Sequence, residues 1–158
     1  EICACLVGSE MCIRDSLHLL FNDLVRFIGD DFSPVRPELC KEYPTNYCIR
    51  QQINGKFSIR TYIDMPESTC IAFASRYVNE DFHSFDEYVQ SSLEDFLNLH
   101  NGLFNVNMSN EQGLELQLDV PNVVTDELVT FEHEAYMLPI VYSFGTIHFI
   151  FELIHNEL

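Results

Sequence analysis

Ser84-Phe-Asp-Glu-Tyr-Val-Gln-Ser-Ser-Leu-Glu-Asp-Phe-Leu-Asn-Leu-His-Asn-Gly-Leu-Phe104 reads as one long amphipathic helix. Stepping about 100° per residue from Asp95 places Ser91, Asn98 and Gly102 within about 60° of it. Val89, Leu93, Phe96, His100, Leu103 and Phe104 fall on the opposite side as the stripe that packs on a core. Ser84-x-x-Glu87 has the form of a capping box that starts the helix. An interior Asn and an interior Gly each cost a helix roughly 0.7–1 kcal/mol relative to Ala. On an exposed face burial does not offset that cost. The face is therefore expected to meet a partner.

Upstream, Leu17, Leu20, Leu24, Phe27 and Ile28 recur at helical spacing until Gly29 stops them. The three prolines between Asp30 and Pro44 read as a loop. Tyr47 to Ile53 and Lys56 to Met65 read as strands joined by Asn54-Gly55, a type I′ hairpin signal. In the second strand Phe57, Ile59, Ile63 and Met65 alternate with Ser58, Arg60 and Asp64, which predicts one core face and one wet face. Pro66 opens a short helix through Val78, and Asn79 to His83 turns into the long one.

Downstream, Asn105 to Gly113 is expected to return the chain. Leu114, Leu116, Leu118 and Val120 then alternate with polar residues as a half-buried strand. Tyr136 to Tyr142 and Thr146 to Ile154 form a closing hairpin around Ser143-Phe144-Gly145. The order predicts an α+β domain, with two or three helices packed on a mostly antiparallel sheet. No G-x-G-x-x-G, Walker A or G-x-S-x-G sequence supports a nucleotide-binding or hydrolase-elbow reading.

Cys5-Leu-Val-Gly-Ser-Glu-Met-Cys-Ile-Arg-Asp15 resembles the in-frame translation of a sequencing-library adapter, not a signal or transit peptide. Residues 1–15 are accordingly read as non-native and residues 16–158 as a single domain. This reading leaves open a further domain upstream. The chain carries 25 acidic and 8 basic residues, a net charge of −17. Such acidity disfavours nucleic acid and anionic membrane as partners, and most simply serves solubility. Outside the first segment only Cys40, Cys48 and Cys70 remain, which suggests neither a disulfide framework nor a zinc site and fits a reducing cytoplasm. The apolar run from Leu138 to Phe151 is broken by Pro139, Ser143, Gly145 and His148, as sheet and not a membrane span.

Asp95-Phe-Leu-Asn98-Leu-His-Asn-Gly102 resembles the active helix of the CheC/CheX/FliY family of phosphatases, which act on the phosphorylated receiver protein CheY. Their signature is an acidic residue, two spacers and Asn, with Gly four residues later. Asn107-Met-Ser-Asn110, Gly113-Leu-Glu-Leu-Gln-Leu118 and Pro121 are similar to the family's passage from helix to strand. The resemblance runs from about Tyr47 to the C-terminus. It is greatest to the CheX branch, since the helix from Glu67 to Val78 carries no second acidic-x-x-Asn.

The resemblance implies a bacterial chemotaxis phosphatase in two-component signalling, with Asp95 and Asn98 as its catalytic pair. Hydrolysis of an aspartyl phosphate needs a water held in line with phosphorus and charge stabilised around it. An Asn carboxamide positions water but cannot act as a general base. The acidic residue one turn away can pair with a receiver lysine. Gly102 would admit the receiver backbone, and Leu99 would anchor a docked helix. Glu94 and Ser91 flank the same contact. Mg²⁺ is expected on the receiver, so no metal ligands and no cofactor are assigned to this chain, and the family implies a homodimer as a further partner.

This chain departs from the family at one point. The acidic residue there is Glu, and here it is Asp95, one methylene shorter; about 1 Å of misplacement can cost roughly a hundredfold. Glu94 projects about 100° away and substitutes only on a rotated helix. Two other readings stand beside catalysis. One is a non-catalytic CheX-like output or interaction domain of a response regulator, and the other is a small-molecule-binding domain. His100 is expected to be a core histidine, Cys70 buried and inert, and Glu132-His133-Glu134 loop charge.

Overall fold

Between residues 28 and 65 the chain forms five strands where two were expected. The computed structural model describes residues 2–154, with side chains described from residue 13 onward. Helix α1 spans Ile2–Phe27 and is followed by β1 (Phe32–Pro34), β2 (Glu38–Leu39), β3 (Glu42–Pro44), β4 (Tyr47–Asn54) and β5 (Ser58–Met65). Two helices come next, α2 (Glu67–Val78) and α3 (Glu87–Gln112). Five strands complete the described residues: β6 (Gln117–Leu118), β7 (Asn122–Thr125), β8 (Leu128–Thr130), β9 (Glu134–Tyr142) and β10 (Gly145–Ile154). The fold is α+β, as expected.

The main sheet runs β1-β9-β10-β5-β4-β6, with β2 also paired to β9 and β7 to β4, and every pairing is antiparallel. The proline-rich segment read as a loop contributes β1 and β2 at the edge, where a missing N–H is tolerated. The expected two-residue turn at Asn54-Gly55 is absent, because Ile53 pairs with Ile59 and the three residues from Gly55 to Phe57 separate the strands. Gly55 serves a close approach: a Cβ there would lie 2.5 Å from Leu116 Cδ2 and 2.8 Å from the Glu115 carbonyl. The closing hairpin is tight, with Gly145 opposite Tyr142.

The second face of β5 is not wet. Ile59, Ile63 and Met65 join the core beneath the helices, while Tyr62 packs with Tyr43, Cys48, Val124, Phe131, Ala135 and Ile150 in a second core. The ribbon of β3 and β8 contributes to this layer through Tyr43, and Val129 packs against it. Asp64 is fully buried there, but it accepts hydrogen bonds from Tyr43 Oη (2.7 Å), Asn46 N (2.8 Å) and Asn46 Nδ2 (3.2 Å). A carboxylate supplied with three donors can be buried at tolerable cost. Alternation alone could not announce a covering layer built from residues 42–44 and 128–131.

The helices cover the other face, with α3 packed on α1, α2, β4 and β6. Helix α1 is longer than the Leu17–Ile28 segment expected, extending through the residues set aside as non-native; Leu20, Leu24 and Ile28 are buried as predicted. Helix α3 likewise continues two turns past Phe104, because Met108 extends the buried stripe and no breaker precedes Gly113. Gly113 ends it in the left-handed region (φ 65°), its N–H donating to Met108 and Ser109 carbonyls. At the other end Asp86, not Ser84, caps the helix by accepting from Tyr88 N and Val89 N, both at 3.0 Å. A carboxylate at this position also favours the positive end of the helix dipole. Leu114, Leu116 and Leu118 rest on the core, but only Gln117–Leu118 joins the ladder and Val120 is solvent-exposed, so the half-buried strand expected here is two residues long.

Candidate functional site

Six apolar side chains of α3 are buried: Val89, Leu93, Phe96, Leu97, Phe104 and Met108. Each contributes roughly 1.5–3 kcal/mol on burial, which outweighs the propensity cost of Asn98 and Gly102. The stripe fixes which face looks outward. Ser91, Asp95 and Asn98 are exposed, Leu99 and Gly102 are partly exposed, and all five share that face. Glu94 is half-buried to one side and accepts from Gln90 Nε2 at 3.1 Å, one turn back along the helix.

Asn98 is not a free surface amide. Its Oδ1 accepts from Gln51 Nε2 of β4 at 2.7 Å, and the same nitrogen donates to the Asp119 carbonyl at 2.9 Å. Asp95 is also held, since Tyr77 of α2 donates its hydroxyl proton to Asp95 Oδ2 at 2.6 Å. Partial burial, then the bond to Asp95, raises the Tyr77 pKa above the ordinary tyrosine value, so the phenol stays a donor. Gly102 has open space above it. A Cβ there would meet only Leu118 Cδ1, at 4.0 Å. Nothing inside the fold calls for glycine at this position.

The sequence reading missed four residues, two on this face and two that support it. Tyr88 and Val106, 64% and 54% exposed, lie within about 20° of Asp95 around the helix. They place an apolar side chain at each end of the polar site. Gln51 could have been noticed as a polar residue between Ile49 and Ile53 on the core-facing side of a strand. Tyr77 gave no signal, because its role depends on how α2 crosses α3.

His100 is fully buried, as expected, with Nδ1 3.0 Å from Asp23 Oδ2 and Nε2 3.4 Å from Ser16 Oγ. The order of groups is that of a nucleophilic triad, but Ser16 is 1% exposed and no substrate can reach it. Cys70 is buried, and desolvation pushes its thiol up to about 12. Among the described residues no group of three or more His, Cys, Asp and Glu is placed to hold a metal, and no helix is long and apolar enough to cross a membrane. Glu134 belongs to β9, not a loop, and His133 Nδ1 lies 3.8 Å from Glu152 Oε2.

An exposed helix carrying an acidic residue, an Asn and an open glycine thus lies across an antiparallel sheet, the arrangement expected from the sequence resemblance. The family model for chemotaxis phosphatase CheX matches residues 47–145, and the chain belongs to that family. The fold is shared with CheX of Desulfovibrio desulfuricans (TM-score 0.77, 15% identity, 90% of this chain and 99% of that one). It is shared equally with CheX in the CheX–CheY–BeF3–Mg complex of Borrelia burgdorferi (TM-score 0.79, 18% identity, 90% and 97%). FliY of Thermotoga maritima is more distant (TM-score 0.58, 11% identity, 89% and 84%). No curated protein matches the sequence.

Proposed function

We propose that this CheX-family domain speeds hydrolysis of the aspartyl phosphate on a CheY-type receiver docked across α3, with Asn98 positioning the water and Asp95 making the docking contact. The observation that carries the reading is Asn98 itself. It is exposed on a rigid helix, fixed from beneath by Gln51, one turn after Asp95 and one turn before the open surface over Gly102. The water oxygen attacks phosphorus in line, the bond from phosphorus to the aspartyl oxygen breaks, and phosphate and a free carboxylate leave. Asn98 takes no proton; it holds the water and contacts developing charge. Mg²⁺ is carried by the receiver. Asp95 Oδ2 is engaged by Tyr77, so Oδ1 meets the receiver's cation. The unpaired Cys40, Cys48 and Cys70 support a reducing cytoplasm as the setting.

The test is the decay of a phosphorylated CheY-type receiver with and without the chain, beside Asn98→Ala. Acceleration should disappear in the variant while its circular dichroism and melting stay unchanged. Unchanged acceleration in Asn98→Ala would overturn the assignment. Saturable binding without acceleration by the unaltered chain would identify an interaction domain, the outcome favoured if the shorter Asp95 seats the receiver badly.

A further inference from the structure

Beneath Asn98 lies a chain of buried polar groups that an apolar core would not need. Gln51, Thr61 and Asn101 are all fully buried between β4, β5 and α3. The Asp119 backbone carbonyl can only accept, so Gln51 must turn Nε2 toward it (2.9 Å). The second hydrogen of that nitrogen goes to Asn98 Oδ1 at 2.7 Å. Gln51 Oε1 is thereby turned to Asn101, whose Nδ2 donates to it at 2.8 Å and to Thr61 Oγ1 at 2.8 Å. Thr61 in turn donates to the Gln51 carbonyl at 3.4 Å. Reversing any one of these amides would set acceptor against acceptor or donor against donor. The polarity of the whole network therefore follows from one backbone carbonyl.

We infer that Gln51, backed by Asn101, is a positioning residue that fixes the polarity of the Asn98 carboxamide; the inference rests on the phosphatase reading above. An exposed Asn side chain samples both orientations of its amide, since its last torsion is broad and two-fold. Gln51 removes one of them. Oδ1 is turned inward with one lone pair spent on Gln51 and one left for a water proton. Nδ2 is turned outward as a donor toward the phosphoryl oxygens. The network is kept although Asn101 Oδ1 is left buried with no partner, a cost that packing alone does not explain.

Gln51→Met keeps the length and removes the polarity, and Gln51→Glu offers only acceptors to Asn98. At saturating receiver, Gln51→Met should lower the maximal dephosphorylation rate at least tenfold, and Gln51→Glu further. The half-saturating receiver concentration should stay within about twofold, because the docking face is untouched. A merely structural role would instead move both quantities together or only the melting temperature. In the unaltered chain the Gln51 side-chain amide hydrogens should be strongly protected from exchange, and Asn98→Ala should expose one of them. Unprotected hydrogens, or a Gln51→Met enzyme of unchanged maximal rate, overturn the inference while leaving the phosphatase reading intact. If the unaltered chain gives no acceleration, both fall, and protected Gln51 hydrogens would then describe only a structural network.

Discussion

Tyr77 of α2 and Asp95 of α3 are joined by a 2.6 Å hydrogen bond that ties the Asp95 carboxylate to a neighbouring helix. The same Tyr77 ring packs edge-on against Phe96 (5.6 Å between centroids) and Phe27 (5.9 Å), so the hydroxyl is aimed by the core. Tyr77→Phe keeps the ring and removes the donor. Freed, Asp95 would sample other rotamers, and the receiver would have to select the productive one. The expected result is a threefold to tenfold rise in the half-saturating receiver concentration, in line with one charge-assisted bond of about 1 kcal/mol at a partly exposed site. Titration of the phosphorylated receiver at fixed enzyme checks it; an unchanged midpoint would show that Asp95 needs no tether.

Gly102 and Gly145 should respond to the same substitution in opposite ways. At Gly102 the backbone is helical and the space is open, so Gly102→Ala should stabilise the fold by up to about 1 kcal/mol through helix propensity. It should also weaken receiver docking if the receiver backbone lies against that spot. Gly145 has φ of +146°, and a Cβ there would fall 2.0 Å from Thr69 Oγ1, so Gly145→Ala should destabilise by more than 1 kcal/mol. Urea titrations of both variants read the signs directly.

The proposed docking face should extend as far as Tyr88 and Val106, about 27 Å apart along α3. Both are solvent-exposed and make no part of the network under Asn98. Tyr88→Glu and Val106→Glu should leave folding unchanged and raise the half-saturating receiver concentration without lowering the maximal rate. A fall in the maximal rate alone would mean that these residues do something other than dock.

The polar face of α3 was legible because a helix repeats every 3.6 residues whatever it packs against. Asp95, Asn98 and Gly102 came to one exposed side as read. Their supports were not legible, because each comes from another element: Gln51 from β4, Tyr77 from α2 and the Asp119 carbonyl from the segment after β6. The same limit explains the wet face wrongly assigned to β5, since Tyr43 and Phe131 reach Tyr62 only through the tertiary fold. The helix start illustrates a local competition. Ser84 and Asp86 are both competent caps, and the structure uses the carboxylate, so Asp86→Ala should cost about 1 kcal/mol and Ser84→Ala a few tenths at most. Equal losses for the two would restore Ser84 to the capping role.

The buried thiols and phenols give the fold an alkaline limit whose sign follows from the direction of their shifts. Burial pushes Cys70 up from an ordinary 9.0 to about 12 and Tyr62 from 10.0 to about 12, and raises Cys48 as well. A group whose pKa is higher in the folded state holds its proton there after the unfolded chain has released it. Stability from these groups is therefore complete below about pH 9 and is lost as pH rises toward 12, at up to about 1.4 kcal/mol per pH unit for each group within its window. Urea midpoints at pH 8, 9.5 and 10.5 should fall progressively, and Cys70→Ala should flatten the first part of the slope. Below pH 9 the native Cys48 and Cys70 thiols should resist iodoacetamide, while half-buried Cys40 is modified faster, as peptide mapping would show. Rapid alkylation of Cys70 in the native chain at pH 8 would mean that the core around it opens far more readily than its packing allows.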